Sequence, residues 1–175
     1  MKQTCSYVYF YESPLGKITL GSDGKSLISL CFEGEKYYCE NFSEKYVEKN
    51  LKVFENVKSW LDIYFSGKQP TFMPEIKLNG SDFRVDVWNI LQEIPYGETI
   101  TYGEIAKKLA KSKEMKCISA QAIGGAVGHN PISIIIPCHR VIGANNNLTG
   151  YAGGLDKKME LLKLEGNDIS QYQFF

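Results

Sequence analysis

Three short runs near the start of the chain, residues 5–12, 16–21 and 26–32, concentrate Tyr, Val, Ile, Leu and Phe. Ser13-Pro14-Leu15-Gly16 and Ser22-Asp23-Gly24 separate them, so the pattern predicts an antiparallel meander. Farther on, Val47, Leu51, Phe54, Leu61 and Phe65 recur at helical spacing over a Lys/Glu-rich background, with Val57 and Tyr64 filling the gaps. This predicts one amphipathic helix over 44–66, stopped at Gly67, with its apolar stripe turned to a core. Residues 68–82 hold two prolines and a glycine without a helical period and read as a linker.

The second half alternates helices and loops. Asp82 is the expected cap of a helix over 83–93 that turns Phe83, Val87 and Leu91 inward. Thr101-Tyr102-Gly103-Glu104 matches a capping box and opens a helix through about Leu109. Ile118 to Val127, rich in Ala and Gly, is a second helix that another surface can approach closely. A helix pair with a short linker suggests a helix-turn-helix, although plain packing of two helices reads the same way. The fold expected is therefore α/β in the α+β sense: a supporting sheet-plus-helix domain over 1–80 and a mainly helical domain over 82–175.

Charge narrows the possible partners. The 175 residues carry 20 Lys+Arg against 20 Asp+Glu, so no basic body can hold a polyanion and any nucleic-acid contact is local. The one concentration is Lys107, Lys108, Lys111, Lys113 and Lys116 against Glu114 alone. Such a run is a solvated face or, if the helix pair binds DNA, a place for phosphate contacts. No segment reaches the roughly 18 apolar residues of a membrane span, and the first residues lack an apolar leader core. Five cysteines, Cys5, Cys31, Cys39, Cys117 and Cys138, cannot all pair within one chain and form no CxxC motif. The expectation is a reducing compartment, cytoplasmic or nuclear.

The chemistry concentrates in Asn130-Pro131-Ile132-Ser133-Ile134-Ile135-Ile136-Pro137-Cys138-His139-Arg140-Val141. A buried strand is expected to end at Pro137, which lacks an amide and fixes φ. Neighbouring side chains on a strand point to opposite faces, so Cys138 and His139 act together only if the backbone turns there. A thiolate is the nucleophile of such a pair, an imidazole takes its proton, and a third group orients the ring. Glu165 offers that carboxylate at the end of a helix over 155–164 closed by Gly166. Taken alone, these residues equally describe an inert buried cysteine, a structural histidine and a solvated glutamate.

Pro137-Cys138-His139-Arg140-Val141, with Asn130-Pro131 before it and Gly150-Tyr151-Ala152-Gly153-Gly154 and Leu164-Glu165-Gly166 after it, resembles the active-site region of the O6-alkylguanine-DNA alkyltransferases, the methylated-DNA–protein-cysteine methyltransferases. The resemblance runs from about Phe83 to Gly166; the first half is similar only through Ser13-Pro14-Leu15-Gly16 and its order of elements. It implies a single irreversible transfer of an alkyl group from O6 of guanine in DNA, with O4 of thymine a second candidate, to the sulfur of Cys138. His139 would deprotonate Cys138 through a water and Glu165 would orient His139. Tyr102 would help extrude the nucleotide and donate a proton to the leaving base, and Asn130 would support the active-site turn. Tyr151, Ala152, Gly153, Gly154 and Lys158 would wall the guanine pocket. The helix over 118–127 would enter the minor groove of double-stranded DNA with Gln121, Ala122, Gly125 and Ala126, joined by Tyr102 and Lys116. The resemblance also implies a monomer, no cofactor and no membrane partner.

Two departures stand out. Gln121 occupies the place of the family's usual arginine, which fills the hole left by the extruded nucleotide; glutamine hydrogen-bonds but carries no charge and stacks less well. Some relatives bind zinc, but His129 and His139, the two histidines, both fall in the second half, so no structural zinc is expected although Cys5 lies near a ligand position. Arg140 is read as anchoring the turn through an ion pair, and His129 as a helix-end cation. Two other function classes remain: a lesion-recognition module without efficient repair, against which Cys138 argues, and a cysteine hydrolase, for which no oxyanion hole is evident.

Overall fold

The computed structural model describes residues 4–37 and 42–174, together with the backbone but not the side chain of Glu44; Cys39 lies outside the described residues. The chain divides into two compact units, residues 1–79 with 131–133, and residues 80–130 with 134–175.

The first unit is built on the expected meander. Strands β1 (Cys5–Ser13), β2 (Gly16–Ser22) and β3 (Leu27–Phe32) pair antiparallel in sequence order. Ser13 fixes the first turn by donating its hydroxyl to the Gly16 carbonyl, and Asp23 fixes the second by accepting from the amides of Lys25 and Ser26. These are the local side-chain bonds that make Ser and Asp turn residues. Helix α1 (Lys52–Phe65) buries Val53, Phe54, Val57, Trp60, Leu61 and Tyr64, and Phe54 meets the ring of Tyr9 on β1 at 6.0 Å between centroids.

The single helix expected over 44–66 is corrected. Residues Phe42–Glu48 form strand β4, parallel to the open edge of β1, and α1 starts only after Asn50 and Leu51. Val47, counted into the helical stripe, is 56% exposed. Pairing with an open sheet edge outweighs a helical period that rests on one residue in this stretch, and its Lys and Glu residues suit an edge. The linker is also more ordered than its composition suggests, because the amide of Leu27 donates to the Glu75 carbonyl and that of Lys77 to the Leu27 carbonyl.

The second unit holds helices α2 (Asp82–Gln92), α3 (Tyr102–Ser112), α4 (Ala120–Gly128) and α5 (Leu155–Leu164), and two short parallel strands, β5 (Ile100–Thr101) and β6 (Val141–Ile142). The capping box of α3 is present: Thr101 Oγ1 accepts from the Glu104 amide at 3.1 Å while Glu104 Oε2 accepts from the Thr101 amide at 2.8 Å. The cap of α2 is Ser81, whose hydroxyl accepts from the Arg84 amide, and Asp82 is the first helical residue instead. Phe83 is 36% exposed rather than inward. The aromatic anchor of α2 is Trp88, which is buried and donates its indole N–H to the Ala126 carbonyl of α4 at 2.9 Å.

The buried strand expected before Pro137 does not form. Ile132 alone bridges to Leu30, Ile134 has φ +70°, and the chain turns through 133–136. With four isoleucines among the five residues before Pro137, periodicity could not separate a strand from a buried turn.

Candidate active site

Pro137 ends the turn, and Cys138–Arg140 form one 3₁₀ turn. Asn130 Nδ2 donates to the Ile136 carbonyl at 2.8 Å, and the Cys138 amide donates to the same carbonyl at 2.8 Å. Thus Asn130 fastens the backbone two residues ahead of the cysteine. The tight turn gives Cys138 and His139 the change of direction that an extended strand would deny them. Both are buried.

A carboxylate with four donors lies behind the histidine. Glu165, the residue that ends α5, takes His139 Nε2 on Oε1 at 2.6 Å; Arg140 reaches it twice, Nε to Oε2 at 2.8 Å and Nη2 to Oε1 at 3.0 Å. The Gly97 amide adds a fourth bond to Oε2 at 3.1 Å. Arg140 also donates from Nη1 to the Ile94 carbonyl at 2.7 Å, and its guanidinium lies 5.6 Å from the Tyr96 ring centroid. Burial alone would push the Glu165 carboxyl up, but the hydrogen bonds and charges of His139 and Arg140 outweigh it and hold the group at about 2. Burial draws His139 below its ordinary value against the pull of Glu165, so the ring is neutral at neutral pH. A neutral ring facing a carboxylate through Nε2 carries its proton there, which makes Nδ1 the basic nitrogen.

Two further groups face the cysteine electrostatically. Tyr102, at the start of α3, has its hydroxyl pushed up to about 12, chiefly by burial and then by negative charge on Cys138. That hydroxyl lies 3.4 Å from the Thr149 carbonyl, and a Cβ placed on Gly150 would come within 3.1 Å of it. With φ at +61° as well, position 150 suits glycine on both counts. Lys158 of α5 is fully buried, and burial holds its ammonium down at about 8, while charge on Cys138 acts in the opposite direction. Its three N–H donors go to the carbonyls of Val141, Thr149 and Gly150 at 2.5, 2.8 and 3.2 Å. Lys158 therefore ties the loop after β6 to α5. Within that loop, Tyr151, Ala152 and Gly153 are half-buried, and Gly154 closes a turn by donating its amide to the Tyr151 carbonyl.

Most residues expected at a DNA face are open to solvent. Gln121, Ala122 and Gly125 on α4 are exposed, as is Lys116. Ala126 is corrected: it is 3% exposed, on the side of α4 that meets Trp88. The spacing of Ala and Gly alone did not say which small residues packed inward. His129 caps α4, with Nδ1 2.7 Å from the Gly125 carbonyl. The sequence reading missed Ile94, Tyr96 and Gly97, although Pro95-Tyr96-Gly97 is a turn signal that could have flagged a backbone donor. Among the described residues no three His, Cys, Asp or Glu side chains are grouped to hold a metal, and no helix is long and apolar enough to cross a membrane.

A turn-borne Cys-His pair backed by a buried carboxylate, in a unit that also holds a packed helix pair, has the arrangement of a protein that acts through a thiol. Comparison with known proteins narrows the class. The family model described as 6-O-methylguanine DNA methyltransferase, DNA binding domain, matches residues 82–167, and that described as its ribonuclease-like domain matches residues 6–78. A methylated-DNA–protein-cysteine methyltransferase of Methanosarcina acetivorans is 46% identical over 92% of this chain and 99% of the relative, and one of Haemophilus influenzae is 42% identical over 93% and 87%. The crystal structure of Mycobacterium tuberculosis OGT in complex with DNA superposes with a TM-score of 0.80 at 38% identity, covering 95% of this chain and 94% of that one. The chain belongs to the methylated-DNA–protein-cysteine methyltransferase family.

Proposed function

We propose that this protein repairs DNA by moving an alkyl group from O6 of alkylated guanine to Cys138, once per molecule. The observation that carries the reading is the 2.6 Å contact between His139 and Glu165, next to a cysteine set on a turn. Glu165, kept anionic by Arg140 and His139, holds the imidazole with its basic nitrogen available to the thiol proton through a water. The resulting thiolate attacks the saturated carbon on O6; the S–C bond forms as the C–O bond breaks, and the electron pair leaves with the base. Tyr102, whose hydroxyl is protonated at neutral pH as any tyrosine's is and is held up further by burial, supplies a proton to that base as negative charge develops on it. The proton taken from Cys138 passes from His139 to solvent, and solvent restores Tyr102. The product thioether has no carbonyl for water to attack, so Cys138 is not regenerated.

An atom inside a stacked duplex is reached only by extruding its nucleotide, at a cost of a few kcal/mol that falls for a weakly paired damaged base. The exposed face of α4, with Gln121, Ala122 and Gly125, suits close entry into the minor groove, and Gln121 would hydrogen-bond the base left behind. The loop at Tyr151, Ala152, Gly153 and Gly154, its first three residues half-buried and the whole tied down through Lys158, would wall the extruded guanine. One chain acts on one lesion.

Titrating the protein against a duplex with one O6-methylguanine tests this reading. Methyl acceptance is expected to stop at one equivalent per chain. Continued turnover would contradict it and favour hydrolytic chemistry, while binding without acceptance would favour a lesion-recognition module.

A further inference from the structure

Between Asn130 and Ile134 the chain leaves the second unit: residues 131–133 belong to the first, and Ile134 to the second again. The base of this excursion is closed by Asn130 Nδ2 on the Ile136 carbonyl at 2.8 Å. Within the first unit, residues 131–133 run along the outer edge of β3. The Leu30 amide donates to the Pro131 carbonyl at 2.9 Å, and the Ser133 amide to the Leu30 carbonyl at 2.8 Å.

The last residue of the segment is also fixed through its side chain. Ser133, buried, donates its hydroxyl to Glu35 Oε1 at 2.6 Å. Glu35, buried as well, is set in place by the turn that follows β3. Its amide donates to the Phe32 carbonyl at 3.1 Å, and its Oε2 accepts from the Phe32 amide at 2.7 Å. A buried carboxylate is unfavourable unless its oxygens are hydrogen-bonded; the Phe32 amide satisfies one and Ser133 the other. The next residue is Ile134, a buried β-branched side chain at φ +70°. Such a backbone is unfavourable and persists only where the structure on either side holds it. Cys138 follows four residues later.

We propose that Glu35 and Ser133 are positioning residues for alkyl transfer: their hydrogen bond anchors the start of the strained turn that ends at Cys138, as Asn130 anchors its end. The proposal rests on the repair reading above and deepens it, because it gives the sheet unit a part in the reaction. In-line displacement at a saturated carbon demands a sulfur set in one place, and a misplacement of about 1 Å costs up to roughly 100-fold in rate. A turn anchored at one end only relaxes at Ile134 and carries Cys138 away from His139.

The test separates rate from binding in the full chain: single-turnover methyl transfer at saturating O6-methylguanine duplex, and affinity for that duplex by fluorescence anisotropy. Ser133→Ala and Glu35→Ala are each expected to slow transfer at least about 10-fold with affinity unchanged. The double variant Glu35→Ala/Ser133→Ala is expected to be no slower than the slower single one, because both remove the same bond. Glu35→Gln keeps an acceptor for the Phe32 amide and an N–H for the Ser133 hydroxyl oxygen, and is expected to retain most of the rate. Ser22→Ala supplies the control for lost stability, since it deletes another buried hydroxyl of the same unit, bonded to the Ser26 carbonyl at 2.7 Å. It is expected to lower the melting temperature and leave transfer at the wild-type rate. Wild-type transfer by Ser133→Ala, an equal slowing by Ser22→Ala, or a Glu35→Gln rate as low as that of Glu35→Ala would each overturn the proposal. Methyl acceptance by the wild type separates the two levels: acceptance with an unaffected Ser133→Ala defeats the positioning role alone, and no acceptance by the wild type defeats the repair reading with it.

Discussion

Two cysteines, one in each unit, are buried to nearly the same degree: Cys5 is 0% exposed and Cys138 4%. Their surroundings differ in every other respect. Cys5 sits on a β-strand, where a Cβ on Gly21 would come within 2.5 Å of its sulfur, and the ring of Phe42 is close by. Burial, aided by the charge of Asp23, pushes its thiol up to about 12. Cys138 sits on a turn next to a neutral imidazole held by a carboxylate, with the Lys158 ammonium also acting on it. Burial by itself makes a thiol inert; a positioned base and nearby cations make it a nucleophile.

The comparison can be broken most directly by exchanging the sulfurs for hydrogen. Cys138→Ala is expected to abolish methyl acceptance, measured with a labelled O6-methylguanine duplex, while binding to that duplex persists. Cys5→Ala is expected to accept at the wild-type rate and to lose only about 1 kcal/mol of stability from the small cavity it leaves. Acceptance by Cys138→Ala would place the nucleophile elsewhere.

The next effect concerns the carboxylate. Glu165→Gln keeps the shape but removes the charge opposite Arg140, and single-turnover transfer is expected to slow by about 100-fold as His139 loses its fixed orientation. Because breaking a buried pair leaves an uncompensated charge, unfolding in urea should reveal a loss of about 3–5 kcal/mol. A variant with wild-type transfer would show that the His139–Glu165 contact is structural.

Acidity sharpens the same point. The unfolded Glu165 carboxyl takes up a proton near 4.5, whereas the folded one resists to about 2. Its contribution, about 3 kcal/mol, is therefore complete above 4.5 and is lost as pH falls toward 2. Stability measured along that range should decline in the wild type and remain flatter in Glu165→Gln. Transfer has a separate dependence: His139 is drawn below 6.5, so the base stays neutral and the rate should hold as pH passes down through 6.5, falling only below it. A rate that halves at or above 6.5 would contradict the buried, neutral ring.

The smallest expected effect lies on the recognition helix. Gln121→Arg should tighten binding to the lesion duplex several-fold, since a guanidinium adds charge and a stacking plane at an exposed position. Unaltered affinity and rate would mean that Gln121 does not face the orphaned base.

The difference between the two units also explains what could be read from the residues alone. The meander was plain because Ser13 and Asp23 mark its turns with side-chain bonds, and α3 was plain because its capping box is local. Strand β4 was not, since it exists through pairing with β1, and four apolar positions downstream made a helical period that drew Val47 into it. At the site, type and spacing singled out Cys138, His139 and Glu165 without deciding between chemistry and structure; the family resemblance tipped that balance, and it alone pointed to Asn130. Gly97 and Ile94 contribute backbone atoms to the Glu165–Arg140 cluster, and a backbone donor leaves no mark on residue type. Whether Ala126 or Ala122 faced inward depended on where Trp88 packs, which is a tertiary fact.

The central claim is that the cysteine on the turn, and not the equally buried one in the sheet, is the alkyl acceptor. Intact mass followed by peptide mapping, after mixing the protein with a duplex carrying one O6-methylguanine, tests it most directly. The account predicts the mass of one added CH2 per chain, located on Cys138, with Cys5 unmodified; the added mass on Cys5 or any other residue, or none at all, would contradict it.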